Sequence, residues 1–209
     1  LSLNGFEEKR IHCIPTFTAS KTTIGKQQIG SYGLYFGRVT EEKGVETVIK
    51  AYEKLPEYTV KIMGDDTTDE AKRLKKYVEN HKMKNVEFLG FKSGAELENV
   101  IKGARFTLIP SIWYDNLPNT ALESFQYSKP VIASNIGSLP ELVIDGENGY
   151  LFKPSNVEDL IKKIKMLDDD TLVKKMGQAS RKRLESRFAP QTHYEDLMKI
   201  FNEAVKSRK

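Results

Sequence analysis

At 209 residues the chain suffices for one large domain or two small ones, and 39% hydrophobic with 30% charged residues excludes collagen-like, silk-like and wholly disordered classes. No apolar run approaches the roughly 18 residues of a membrane span, and Leu1–Arg10 lacks the basic-then-apolar order of a secretory leader. The net charge of +4 comes from 33 basic and 29 acidic residues, interleaved as far as the basic block Ser180–Arg187 (SRKRLESR). That pattern describes solvated helix faces; attraction to phosphates or an anionic membrane is the lesser reading, and no aromatic-laced cationic stripe marks a nucleic-acid binder. The single cysteine, Cys13, has no internal partner and suits a reducing compartment.

Short β-branched runs alternate with longer amphipathic stretches. Arg10–Pro15 reads as a leading strand, and Thr16–Gly30, rich in Thr, Lys, Gln and Gly, as a flexible connection. Strands follow at Leu34–Phe36, Thr59–Met63, Val86–Leu89, Phe106–Ile109, Val131–Ser134 and Tyr150–Phe152. Between them, Val45, Val48, Ile49 and Tyr52 mark one helix and Leu74, Tyr77 and Val78 a second. Ser93 with Glu96 has the spacing of a capping box opening a third, whose apolar face is Leu97, Val100 and Ile101. After Phe152 the alternation stops. Asn156 is placed to cap a helix carrying Leu160, Ile161, Ile164 and Leu167, and helices over about Leu172–Arg187 and Gln191–Lys206 break at Ala189-Pro190. Six β-runs separated by helices imply an α/β fold, a doubly wound, mostly parallel Rossmann-like sheet with a C-terminal helical tail.

In such a sheet ligands bind beyond the carboxyl ends of the strands. The first turn there, Gly37–Gly44 (GRVTEEKG), has neither the G-x-G-x-x-G fingerprint nor a Walker loop, and the spacing of Gly25 and Gly30 is followed by Ser31 rather than Lys. It offers Arg38 and Lys43, a fork and a point charge beside a helix N-terminus, either solvated surface cations or a diphosphate receptor. The second, Trp113–Glu123 (WYDNLPNTALE), carries two carboxylates eight residues apart, with helix N–H groups around Asn119–Ala121 free for an anion; Asn119 or Asp115 as a plain cap is the competing reading. Asp65-Asp66 and Asp168–Asp170 read as loop or cap residues rather than metal ligands, because no His or Cys lies near either run. His12, His81 and His193 are scattered, and Met166, Leu197, Ile200 and Phe201 read as packing.

The ordered set G-R-x4-K-G, acidic-x7-E and KPVIASNIGSLPELVIDGENGYLF resembles the C-terminal domain of GT-B-fold retaining glycosyltransferases of glycosyltransferase family 4, from about Ile11 onward. The resemblance implies that residues 1–30 are the end of a preceding domain and linker, 31–188 a nucleotide-sugar-binding domain, and 189–209 a C-terminal helix. It implies that Arg38 and Lys43 neutralise the donor pyrophosphate and that Glu123 grips the ribose. Asp115 stands where a Glu contacts donor-sugar hydroxyls, one methylene shorter than the family's residue, so the hydroxyl it meets is left open. Asn116, Leu117, Asn119 and Thr120 form the turn approaching diphosphate and sugar, and Phe91 is a wall for the base. Gly37 and Gly64 lie at strand-end turns, although Asp66 and Thr67 replace the family's Gly-Pro after Gly64. Arg38, Lys43 and Asp115 are the implied catalytic set. The implied reaction is transfer of a hexosyl unit from a nucleoside diphosphate sugar (an NDP-sugar) to a glycan or lipid-linked acceptor hydroxyl. It needs no metal or resident cofactor, takes place in the cytoplasm or at the inner membrane face, and uses a missing N-terminal domain. A GT-B epimerase or phosphorylase and a non-catalytic nucleotide-binding module are the alternatives.

Overall fold

The computed structural model describes residues 4–8, 11–18 and 28–206. Six strands run β1 Tyr32–Phe36, β2 Thr59–Met63, β3 Val86–Gly90, β4 Ala104–Ile109, β5 Val131–Ser134 and β6 Gly149–Phe152. Their order in the sheet is β3-β2-β1-β4-β5-β6, and every pairing is parallel. This is the doubly wound order, in which the direction of winding reverses between β1 and β4. Eight α-helices accompany the strands among the described residues: α1 Val45–Glu53, α2 Asp69–Asn80, α3 Gly94–Gly103, α4 Asn119–Gln126, α5 Leu139–Leu142, α6 Val157–Met166, α7 Asp170–Arg187 and α8 Pro190–Lys206.

The apolar stripes read from the sequence are the faces that become buried. Val48, Ile49 and Tyr52 of α1, Leu74 of α2 and Leu160 and Ile164 of α6 join Tyr35, Val60 and Ile62 in one core. Leu122 and Phe125 of α4, Leu139 and Leu142 of α5 and Leu184 of α7 form a second with Ile109, Val131 and Ala133. Alternate residues of β1 divide between layers: Tyr35 enters the first core, while Leu34 and Phe36 pack with Ile101 of α3. The helices after β1 and after β4 therefore lie on opposite faces, and a crevice opens where they part.

Two expectations are corrected. Ile11–Thr18 forms no strand. It has no neighbouring strand to pair with and instead lies against the helical tail: the Thr18 N–H donates to the Phe188 carbonyl at 3.1 Å, and Phe17 packs on His193 with ring centroids 4.8 Å apart. His193 Nδ1 sits 2.9 Å from the Pro15 carbonyl. Ser93 is the N-cap residue of α3 by position, but its hydroxyl makes no cap hydrogen bond, and Glu96 turns to Lys92 at 3.6 Å rather than back to the cap. The short α5 (LPEL) is too brief to show helical periodicity. The Asn156 cap does form, accepting from Asp159 N–H at 2.9 Å. Residues 19–27, most of the expected linker, lie outside the described residues.

One buried charge holds the leading edge of the sheet. Lys129 is 2% exposed, and its Nζ donates to the carbonyls of Gln28, Lys102 and Ala104 at 2.7, 2.6 and 2.7 Å. Lys129→Met leaves those acceptors without their donor and should cost about 3 kcal/mol in urea unfolding at pH 7. Burial also pushes the ammonium down to about 8. Between pH 8 and 10 the unfolded chain holds a proton the folded chain has lost, so stability should rise with pH in that window. Burial pushes the phenols of Tyr35 and Tyr52 upward, so the unfolded chain ionises first there and the trend reverses above about pH 10. In Lys129→Met the rise should be absent; a rise of equal slope would mean another group causes it.

Candidate functional site

The carboxyl edge of the sheet is built by close backbone approach. The turns after β1, β2 and β3 continue the ladder beyond the strands: Gly37 N–H donates to Met63 at 2.9 Å and Gly64 N–H to Gly90 at 3.0 Å. A Cβ on Gly64 would lie 1.9 Å from the Gly37 carbonyl oxygen, so only glycine lets the second turn pass behind the first. After β1 the chain makes a 3-10 turn over Glu41–Lys43 and reverses at Gly44, whose φ of +67° is left-handed. A Cβ there would lie 2.1 Å from the Pro110 carbonyl oxygen at the end of β4. Lys43 is thereby fixed beside the β4–α4 loop, which a hydrogen bond from Ile112 N–H to the Glu42 carbonyl (3.0 Å) joins to the same turn.

Two adjoining hollows occupy the β1–β4 crevice and share Phe36, Gly37, Arg38 and Thr120. The first is bounded by Lys43, Ser111, Asp115 and Asn119. The second is bounded by Gly64, Asp65, Phe91, Leu97 and Glu123. Nine of the residues singled out in the sequence thus converge on one continuous cleft: Gly37, Arg38, Lys43, Gly64, Phe91, Asp115, Asn119, Thr120 and Glu123. Asn116 does not line it, and the Leu117 side chain packs into the second core. Phe91 is 73% exposed, so a flat apolar face stands open at the outer end.

Charges are arranged unevenly along this cleft. Lys43 Nζ lies 2.6 Å from Asp115 Oδ1, and Ser111 Oγ donates to Asp115 Oδ2 at 2.6 Å. Arg38 is exposed, and its guanidinium has no hydrogen bond or ion pair among the described residues; its carbonyl accepts from the hydroxyl of buried Tyr35. Glu123 is half-buried and likewise without a hydrogen bond or ion pair among the described residues. Burial raises its carboxyl above the usual glutamate range. Helix α4 opens after Pro118 with no side-chain cap, so neither Asn119 nor Asp115 caps it. The Ala121 N–H donates to Pro118 at 3.0 Å, which removes it from the expected anion donors. The N–H groups of Asn119 and Thr120 remain the free donors of the first turn, at the positive end of the helix dipole.

Sequence reasoning missed Ser111 and Tyr35. A serine behind a β4 proline carries a weak signal, and Tyr35 reads as an ordinary strand residue. The aspartate runs have local roles: Asp65 accepts from Thr67 N–H and Oγ1 at 2.9 and 2.6 Å, and Asp66 pairs with Lys75. Asp169 caps α7, Asp168 accepts from Tyr58, and Asp170 pairs with Arg105 at 2.6 Å. Among the described residues no three His, Cys, Asp or Glu side chains group in a way that could hold a metal ion, and no helix is long and apolar enough to cross a membrane.

A parallel sheet with a crevice at its winding reversal defines a doubly wound α/β domain with its ligand position at the carboxyl ends of the strands. The family model for glycosyl transferases group 1 matches residues 20–183, and the chain belongs to that family. It is 30% identical over 174 residues to the uncharacterized glycosyltransferase MJ1178 of Methanocaldococcus jannaschii, a match covering 83% of this chain and 48% of that protein. The C-terminal domain of the group 1 protein LpcC from Francisella tularensis superposes with a TM-score of 0.67 at 26% identity, covering 79% of this chain and 90% of that one. HepE of Anabaena, solved in complex with UDP, superposes with a TM-score of 0.75 at 23% identity, over 83% of this chain and 49% of HepE. The chain spans about half the length of the curated relatives it matches.

The unpartnered Glu123 has a consequence for stability. Its raised carboxyl holds a proton in the folded chain that the unfolded chain has already released, so stability falls as pH rises through the interval from the usual glutamate range to the raised value. Glu123→Gln should therefore melt at a higher temperature than the parent at pH 7. Below the usual glutamate range the difference should vanish. A lower melting temperature at pH 7 would show that the carboxylate has a stabilising partner.

Proposed function

We propose that this chain is the donor-binding part of a retaining glycosyltransferase, which moves a hexosyl unit from a nucleoside diphosphate sugar to a glycan or lipid-linked acceptor hydroxyl in the cytoplasm. The observation that carries the reading is the pair Arg38 and Glu123. Opposite charges without protein partners line one cleft at the winding reversal of the sheet, and an unmet half-buried carboxylate asks for hydroxyl donors. In this reading Arg38, Lys43 and the Asn119 and Thr120 N–H groups receive the diphosphate. Glu123 accepts from the ribose hydroxyls, and Phe91 covers the base. The diphosphate complex of HepE supports it as a property of that protein on the same fold.

The work of such a site is electrostatic. As the bond from the anomeric carbon to the diphosphate oxygen lengthens, negative charge gathers on the leaving phosphate, where Arg38 can reach it and the fixed α4 N-terminus faces it. In a retaining transfer the acceptor oxygen attaches on the face from which the diphosphate departs, and the leaving phosphate takes the hydroxyl proton. In this reading Arg38, a Lys43 ammonium shared with Asp115 and the helix N–H groups meet the diphosphate in place of a divalent ion. Holding the acceptor in line with the anomeric carbon is worth several kcal/mol and falls to the remainder of the enzyme.

Calorimetric titration of UDP and GDP into the chain, with and without chelator, tests this reading. Binding should survive chelation. Arg38→Ala should weaken the diphosphate by about tenfold to hundredfold, as expected for a charge-assisted contact of 1.5–3 kcal/mol, and leave the bare nucleoside nearly unchanged. Glu123→Gln should weaken the normal nucleotide more than its 2′,3′-dideoxy analogue. Binding lost on chelation, or equal losses for nucleoside and diphosphate, would overturn the assignment.

A further inference from the structure

Both cations at the diphosphate end were expected to face the ligand, yet one is already engaged. Lys43 and Asp115 are paired at 2.6 Å with side chains only 21% and 18% exposed, which limits screening of the pair by solvent. The second carboxylate oxygen of Asp115 is held by Ser111, itself 1% exposed, at 2.6 Å. Its main-chain carbonyl accepts from Ser138 Oγ at 3.0 Å. Ser138 thus anchors the Asp115 main chain, while the carboxylate itself is held by Ser111 and cannot swing away from Lys43 without giving up that hydrogen bond. Arg38, in the same hollow, has no carboxylate at contact distance among the described residues, and Glu42 acts on it only through space.

We infer that Asp115, oriented by Ser111, is a counter-charge that competes with the diphosphate for the Lys43 ammonium and thereby loosens the grip on the spent nucleoside diphosphate. The inference rests on the nucleotide reading above. An ammonium has three donors, and a phosphate oxygen can reach one that Asp115 leaves free. It then meets the carboxylate at close range, and like charges in a sheltered site repel strongly. A transferase must release its diphosphate product after each turnover, and a permanent carboxylate beside the phosphate subsite raises the rate at which it leaves. Ser111 is a positioning residue: its hydroxyl, all but buried, donates to the carboxylate and acts through it.

The signs of the effects separate this role from recognition of a donor-sugar hydroxyl. Calorimetry on the chain with inorganic pyrophosphate, UDP, GDP and uridine should find Asp115→Asn binding pyrophosphate and the preferred nucleoside diphosphate about tenfold more tightly, with uridine unchanged. Asp115→Glu keeps the charge and should stay within twofold of the parent. The Lys43→Ala change should erase the gain made by Asp115→Asn. Ser111→Ala should tighten diphosphate binding by a smaller factor, and should add nothing once Asp115 is Asn, the coupling expected of a residue acting through another. Diphosphate affinity that is unchanged within twofold or weakened in Asp115→Asn overturns the inference, as does a gain that survives Lys43→Ala. If Asp115→Asn does not fold, Ser111→Ala decides in the same direction, and an unchanged affinity there overturns it. Pyrophosphate bound with these signs while the nucleoside adds no affinity sinks the nucleotide reading but not the counter-charge. Absence of pyrophosphate binding in every variant sinks the counter-charge itself.

Discussion

The site depends on one steric constraint, the passage of backbone against backbone along the carboxyl edge of the sheet. Gly64 runs behind the Gly37 carbonyl, and Gly44 rests on the Pro110 carbonyl at distances where no side chain fits. The second contact spans the winding reversal, because Gly44 leads into α1 on one face while Pro110 leads toward α4 on the other. Two elements whose helices diverge are held together at their roots. The cleft is the space above that junction, and its floor is rigid because the floor is main chain.

Charged groups are then set on this floor in two different states. Lys43 and Asp115 compensate each other and are partly sheltered, so they fix the β1 turn to the β4–α4 loop. Arg38 and Glu123 make no hydrogen bond or ion pair among the described residues, and Arg38 meets Glu42 only through space. Arg38 remains exposed at little cost, whereas Glu123 is half-buried and carries a desolvation penalty, visible in its raised carboxyl. Under the proposed reading, that penalty is what ribose hydroxyls would offset on binding.

Much of this was legible in the sequence, and the boundary of legibility is physical. The periodicity located six strands because each is short, rich in β-branched or aromatic residues and flanked by a helix with an apolar stripe, features local to the chain. Arg10–Pro15 has the same local appearance, yet its described part, Ile11–Pro15, forms no strand, since strandhood needs a partner and no described strand pairs with it. The linear motifs located Arg38, Lys43, Asp115 and Glu123, but not their pairing, because Lys43 and Asp115 are 72 residues apart. Lys129 shows the same limit most clearly. It opens the motif KPVIAS, yet nothing in that string sets it inside, and only the convergence of carbonyls from residues 28, 102 and 104 makes it a buried lysine.

The charges lining the cleft sum to near neutrality if Arg38, Lys43, Asp115 and Glu123 alone are taken. A diphosphate entering such a site gains little from long-range attraction, and the chain's mild net charge of +4 adds little steering. Affinity must then come from short-range contacts made on arrival: the Arg38 fork, the two N–H groups of α4, and hydroxyls satisfying Glu123. Such contacts are weakly screened by salt and sensitive to geometry, in contrast to a site that collects anions by field alone. A rigid main-chain floor suits that strategy, because directional hydrogen bonds lose strength steeply with misalignment and a fixed floor holds them in register. The glycine contacts and the uneven charge pattern are therefore parts of one solution: the backbone supplies alignment, which lets a nearly neutral cleft discriminate.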